Sequence, residues 1–264
     1  MTGQEAPTQQ GGESRSYPSS DVKLLFGLSA GRCNEPTCFA EVLVNATQFD
    51  KAVVVGKIAH IEAHSDKGPR ANPNLTKKER DCYLNWILLC GYHHDIVDAQ
   101  DCTYTSELLL GWKRDHERRI NDALGAAMPL ITYAELAVVT AGVALSIAGT
   151  PAADLHVTAP AAKMEKNKLT GAVQHFLLLA LGKAPDVKRF VEHYAKVDPE
   201  FPERLKAGLA NEYARLHSGG DEGDRLFEAL MWYAAGGRMT DLRHMAAGLA
   251  VLGYYFMICE VFEK

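Results

Sequence analysis

Lys57-Ile-Ala-His60-Ile, a polar stretch, then Asn85-Trp-Ile-Leu-Leu-Cys90-Gly-Tyr-His93-His94-Asp-Ile-Val-Asp98 is the segment whose reading decides the fold of the first half. Ahead of it lie two β-branched runs, VLV at 42–44 and VVV at 53–55, which read as strand. The polar residues 65–80, SDKGPRANPNLTKKER, read as loop, Leu84 to Cys90 as a buried apolar run, and His93 to Asp98 as a short helix. Thr105 is an N-cap candidate for a charged helix running to Asn121. Strand, strand, loop and short helix in this order make a compact ββα arrangement.

Five of the six cysteines fall in the first 102 residues, together with His60, His64, His93 and His94. Cysteine and histidine concentrated in one segment point to metal rather than to disulfides. Cys33-Asn-Glu-Pro-Thr-Cys38 carries two thiols on a short loop, and Cys90-Gly-Tyr-His93 offers a second pair. Four ligands from two such knuckles suit a closed, tetrahedral structural Zn²⁺ site, the bland alternative being small buried thiols. Cys82 is a rival fourth ligand, but its spacing to Cys90 makes no knuckle. Helical neighbours point about 100° apart, so His93 and His94 do not serve one ion. His94 and Asp98, at i and i+4, share a helix face and could hold a harder cation, Mg²⁺ or Mn²⁺. For Asp98 the alternative is a helix-end carboxylate that makes only backbone hydrogen bonds.

After Asn121 the character changes. Thr132-Tyr-Ala-Glu135 is a capping box heading an Ala/Val-rich helix that is expected to end near Gly149, followed by a loop over 149–163. Helical periodicity then marks Leu169–Gly182, Pro185–Lys196, Pro202–His217, Asp224–Ala235 and Asp241–Phe262, with Gly219-Gly220 and Gly236-Gly237 as stops. The reading is therefore α+β: a polar tail over 1–20 expected to be disordered, a zinc-braced ββα domain over 21–125, and an all-α domain over 130–264, the boundary falling between Asn121 and Thr132. No ligand cluster or phosphate loop lies in the helical half, and stripes such as Val173, Phe176 and Leu177 read as core.

The net charge of −5 and pI near 6.1 exclude a global positive field that would draw the chain onto nucleic acid or anionic lipid, so any such contact is local. The longest apolar run, Leu136 to Ala148, is interrupted by Thr140 and Ser146. With no signal-like start, the expectation is a soluble, cytoplasmic protein without a membrane partner.

The motif residues Lys57-Ile-Ala-His60-Ile, Gly68-Pro-Arg70 and Asn85 through Asp98 resemble an HNH endonuclease of the ββα-metal class, over roughly Gly31 to Ile120. That resemblance implies a phosphodiester hydrolase acting on DNA. It makes His60 the general base, Asn85 the residue that orients it or the metal site, and His94 a ligand of the catalytic Mg²⁺ or Mn²⁺. Many such enzymes carry Asp or His just before the base, where this chain has Ala59, so Asp98, Glu62 or water would complete the coordination. Arg70, Lys113 and Arg114 are the candidates for DNA phosphate contacts, Lys77 and Lys78 read as solvated surface, and His64 and His116 as structural.

Phe201-Pro-Glu-Arg-Leu205, Tyr213-Ala-Arg-Leu216, Gly223-Asp-Arg-Leu-Phe227 and Cys259-Glu-Val-Phe-Glu263 resemble the C-terminal module of effectors in ABC-three-component (Lamassu-type) antiphage systems. This implies a helical half that docks onto an SMC-like ATPase and an accessory subunit, or that assembles with other copies. Cys259 reads as a buried or interface thiol. Two alternatives stand beside this reading: a stand-alone restriction-type nuclease, and a non-catalytic zinc module that binds nucleic acid or protein. The helical half, with 14 Lys/Arg against 17 Asp/Glu over residues 121–264, is poorly balanced for gripping phosphates.

Overall fold

The computed structural model describes residues 15–44, 48–51, 53–145, 160–238 and 240–258. Most of the expected N-terminal tail, the predicted end of the helix near Gly149, most of the 149–163 loop and Cys259 lie outside these residues. The architecture is α+β with two small antiparallel sheets.

Helix α1 (Ser19–Leu28), which the sequence reading did not anticipate, buries Leu24, Leu25 and Phe26. Strand β1 (Leu43–Val44) pairs with β2 (Val53–Val54), so the two β-branched runs form one short ladder. Strand β3 (Gly56–His60) pairs antiparallel with β4 (Trp86–Cys90), in a register that sets His60 opposite Trp86 and Gly56 opposite Cys90. Trp86 to Leu89 are fully buried, which explains why β4 reads as a continuous apolar run rather than an alternating one. Gly56 is required: a Cβ there would lie 2.6 Å from the Val42 Cβ. Helix α2 (Lys77–Arg80) is a single turn inside the stretch expected to be loop, held by a Thr76–Glu79 capping box. Helix α3 (Gly91–Ala99) follows β4 directly and packs across both strands of the β3–β4 hairpin.

Helix α4 (Ser106–Ala127), capped by Thr105, runs six residues beyond the expected Asn121 and crosses the anticipated boundary. Its Leu109 belongs to the apolar cluster of the first half, while Ile120, Leu124 and Ala127 belong to that of the second. One continuous helix therefore joins both cores. The capping box of Thr132 and Glu135 is present and opens α5 (Tyr133–Ala144). Helix α6 (Pro160–Lys166) begins within the stretch expected to be loop.

The two helices expected over 169–182 and 185–196 are one, α7 (Gly171–Ala195), with Pro185 inside it. Proline in a helix interior costs about 3 kcal/mol. The buried stripe Phe176, Leu177, Ala180, Ala184, Val187 and Phe190 runs straight through it, and that packing keeps the rod continuous. Helices α8 (Phe201–Ser218), α9 (Gly223–Ala234) and α10 (Leu242–Ile258) complete the fold, and the glycine pairs 219–220 and 236–237 follow α8 and α9 as expected. Helix α10 is the central element: Met245 to Leu252 are buried, and Gly253 passes so close to α7 that a Cβ would sit 2.2 Å from that of Ala180. Among the described residues no single helix is long and apolar enough to cross a membrane.

Candidate metal centre and the histidine group beside it

Three elements bring the first ligand set together. The turn after α1 supplies Cys33 and Cys38, the end of β4 supplies Cys90, and the first turn of α3 supplies His93. Antiparallel contacts fix the loop, with Cys33 N–H donating to Ala40 O and Asn34 N–H to Leu88 O. The four ligand atoms lie within 4.8 Å of one another. Cys38 Sγ is 3.9 Å from Cys90 Sγ, and Cys33 Sγ is 3.7 Å from His93 Nδ1. A tetrahedron with zinc–sulfur bonds of about 2.3 Å has edges of about 3.8 Å, so this set could hold a zinc ion. The same sulfur separation is far longer than the roughly 2.05 Å of a disulfide. Burial pushes the Cys33 thiol up to about 12, with the neighbouring Cys90 and Cys38 adding to the shift. His93 Nε2 faces the Glu35 carboxylate at 3.9 Å, the kind of outer partner that orients a ligating imidazole. Cys82 is excluded from the set; its thiol donates to Glu79 O.

His94 points away from this cluster, as the helical offset requires. Its Nδ1 lies 3.2 Å from Asp95 Oδ1 and its Nε2 lies 3.9 Å from Asp98 Oδ2. Among the described residues His94 and Asp98 are not part of a group of three or more facing ligands; those groups are the cysteine cluster and His60, His64 and Asp81. Glu62, the other candidate ligand, accepts from Asn72 Nδ2.

Asp98 is tied to His60 through Arg70. A single guanidinium nitrogen, Arg70 Nη2, donates to His60 O at 3.2 Å and to Asp98 Oδ1 at 2.7 Å. Arg70 Nε donates to Ile61 O and Nη1 to Val97 O. The side chain is 4% exposed, and its backbone takes a left-handed φ of 56°, a conformation that costs a non-glycine residue roughly 1–2 kcal/mol. The DNA contact expected of Arg70 is thus replaced by an internal clamp, because each of its three guanidinium nitrogens donates to the end of β3 or to α3. Lys113 is likewise turned inward, paired with Glu117 at 2.7 Å and seated 3.5 Å from the Tyr83 ring centroid. Of the three expected phosphate-binding cations only Arg114 is exposed. Arg70→Ala should therefore destabilise the fold by about 3 kcal/mol, the scale of a broken buried pair. Equal thermal stability of the variant and the parent would refute the clamp.

His60 itself is 8% exposed. Its Nε2 donates to Asp81 Oδ1 at 3.1 Å, and His64 Nδ1 donates to the same oxygen at 2.8 Å. Ser16 N–H donates to Asp81 Oδ2. An ionised carboxylate only accepts, so each ring nitrogen facing Asp81 carries the proton, which leaves the His60 lone pair on Nδ1. Burial pushes the Asp81 carboxyl up, but the bonds from Ser16, His64 and His60 outweigh it and hold Asp81 below the usual carboxylate range. Burial pushes His60 below its ordinary value, against the opposing pull of Asp81. The ligand atoms of His60, His64 and Asp81 also lie close enough to hold an ion, a use that would occupy the His60 nitrogen facing Asp81.

Asn85 fastens this group. Its Oδ1 accepts from Glu62 N–H, and its Nδ2 donates to Glu62 O and Arg80 O, pinning the chain just after His60 to the chain just before Asp81. Sequence reasoning missed Asp81 and took His64 as structural. His64 lies four residues after His60, but Asp81 lies at no spacing that marks it and reaches the two rings only because the 61–85 connection folds back. His116 is structural as expected, with Nε2 donating to Ser29 O. No protein-family model matches this chain, and no curated protein matches it.

Proposed function

We propose that the chain is a metal-dependent endonuclease of the HNH class that hydrolyses DNA phosphodiester bonds. The observation that supports this reading is the Arg70 clamp, which joins the backbone carbonyl of His60 to the carboxylate of Asp98, whose other oxygen lies 3.9 Å from the His94 imidazole. The cysteine cluster supports it by anchoring the first turn of α3, from which His94 and Asp98 project.

Within this reading His60 Nδ1 takes the proton of the attacking water, and Asp81 holds the opposite nitrogen and stabilises the imidazolium that forms. Asn85 keeps the strand end in place rather than touching the reacting atoms. A divalent ion held by His94 and Asp98 would supply charge stabilisation for the scissile phosphate and the departing 3′ oxygen. Tyr17, whose ring lies 6.1 Å from that of His60, and Ser16, whose N–H donates to Asp81, stand beside this group. The purified full chain should nick supercoiled plasmid with Mg²⁺ or Mn²⁺ and lose that activity in chelator. Intact plasmid across a range of metal and protein concentrations would reject the assignment.

For the helical half the proposal is assembly, with an SMC-like ATPase and accessory subunit of an antiphage complex or with further copies of the chain. Exposed Leu130, Tyr133 and Val138, which cluster near the start of α5, support a contact surface. Sedimentation of the full chain alone and with such an ATPase should reveal a complex; a monomer indifferent to the ATPase would speak against it.

A further inference from the structure

Between α1, the Tyr83 turn, α4 and α9 lies a cavity of about 610 Å³, within the range of small-molecule sites. Leu24, Leu28 and Phe176 form apolar walls, and six carboxyl groups face it against two cations, Lys78 and Arg225. Five of the six carboxylates have partners in the fold. Asp21 pairs with Arg225 and accepts from Tyr83 N–H. Glu117 pairs with Lys113 and accepts from the Tyr83 hydroxyl, and Asp224 accepts from Thr170 N–H. Glu79 closes its capping box with Thr76, and Asp81 holds the two imidazoles.

Glu228 is the exception. It is 7% exposed, and its Oε2 is buried without a hydrogen-bond partner. Asn121 Oδ1, on the same cavity, is buried and unpartnered too. A buried acceptor left unsatisfied costs about 1–3 kcal/mol, and here two of them line one apolar space. Their common complement is a donor-rich, positively charged head on an apolar body. A phosphate-bearing ligand is opposed by the surrounding carboxylates. Burial, with Asp224 and Glu117 adding to it and Lys113 opposing, raises Glu228 well above the usual carboxylate range.

We propose that this cavity binds a small organic cation, an amine or amidine with an apolar body, whose head pairs with Glu228 and donates to Asn121. Charge-assisted hydrogen bonds of this kind are the strong ones. The cavity shares Asp81 with the histidine group, but the site stands independently of the nuclease reading, and its test measures binding alone.

The probe is benzamidine, titrated calorimetrically into the full chain, with the neutral isostere benzamide as control. Benzamidine should bind and raise the thermal midpoint, and benzamide should bind at least tenfold more weakly. Glu228→Gln keeps the shape of the side chain and removes its ability to carry a negative charge. It should keep the parent thermal midpoint and lose at least tenfold in benzamidine affinity. Asn121→Leu, which removes the second acceptor, should weaken binding as well and serves if the first variant does not fold. Absence of benzamidine binding, equal affinity for benzamide, or undiminished binding by the folded variants overturns the proposal.

Discussion

His60→Ala is expected to lower plasmid cleavage by ~10²–10⁴-fold, the usual worth of general-base assistance, while leaving helical content and zinc content unchanged. The variant removes the imidazole whose Nε2 is held by Asp81, whereas the cysteine cluster is built from other residues. The pH dependence follows from burial, which sets the His60 pKa below its ordinary 6.5. The ring thus stays neutral, and competent as a base, as pH falls past 6.5, and the acid limb of kcat/KM lies below that value. Stability has the same sign: between the two pKa values the unfolded chain binds the extra proton, so the fold loses stability as pH falls through the lowered one. Cleavage by His60→Ala near the parent rate would remove His60 from the chemistry, and an acid limb at or above 6.5 would contradict its environment.

Cys33→Ser and Cys90→Ser are expected to act on folding rather than on chemistry alone. Structural zinc contributes roughly 10–16 kcal/mol of apparent binding energy at neutral pH, and losing one of four ligands forfeits several of these. For a chain of this size, about 4 kcal/mol corresponds to a fall in Tm on the order of 10 °C. Elemental analysis of the parent should return about one tightly held zinc per chain, and each variant should lose it. Cys82→Ser, whose thiol lies outside the cluster, should retain the metal and the parent Tm. A metal-free parent with Tm equal to that of the variants would show that these thiols are merely buried.

The ligands of the first cluster were legible because each pair is local. A loop of six residues holds Cys33 and Cys38, and one helical turn separates Cys90 from His93. Arg70 was misread as a DNA contact because a basic residue in a polar loop looks the same whether its guanidinium faces solvent or three backbone carbonyls. Lys113 was misread for a related reason: its helix position marks a face, but not that the Tyr83 ring and Glu117 enclose its ammonium group. The continuity of α7 through Pro185 shows the same limit, since local propensity was overruled by a buried stripe packed chiefly against α10.

The sequence by itself determined what short-range chemistry determines: the knuckles, the caps at Thr105 and Thr132, the glycine stops, the apolar run of β4 and the periodic faces of the last helices. Tertiary structure alone decided the meeting of His60, His64 and Asp81, the Arg70 bridge to Asp98, the sharing of α4 between two cores and the cavity around Glu228. These features join residues far apart in the chain, and their energies come from burial and from exhausting the donors of a desolvated side chain. Neither quantity exists until the chain has folded around it.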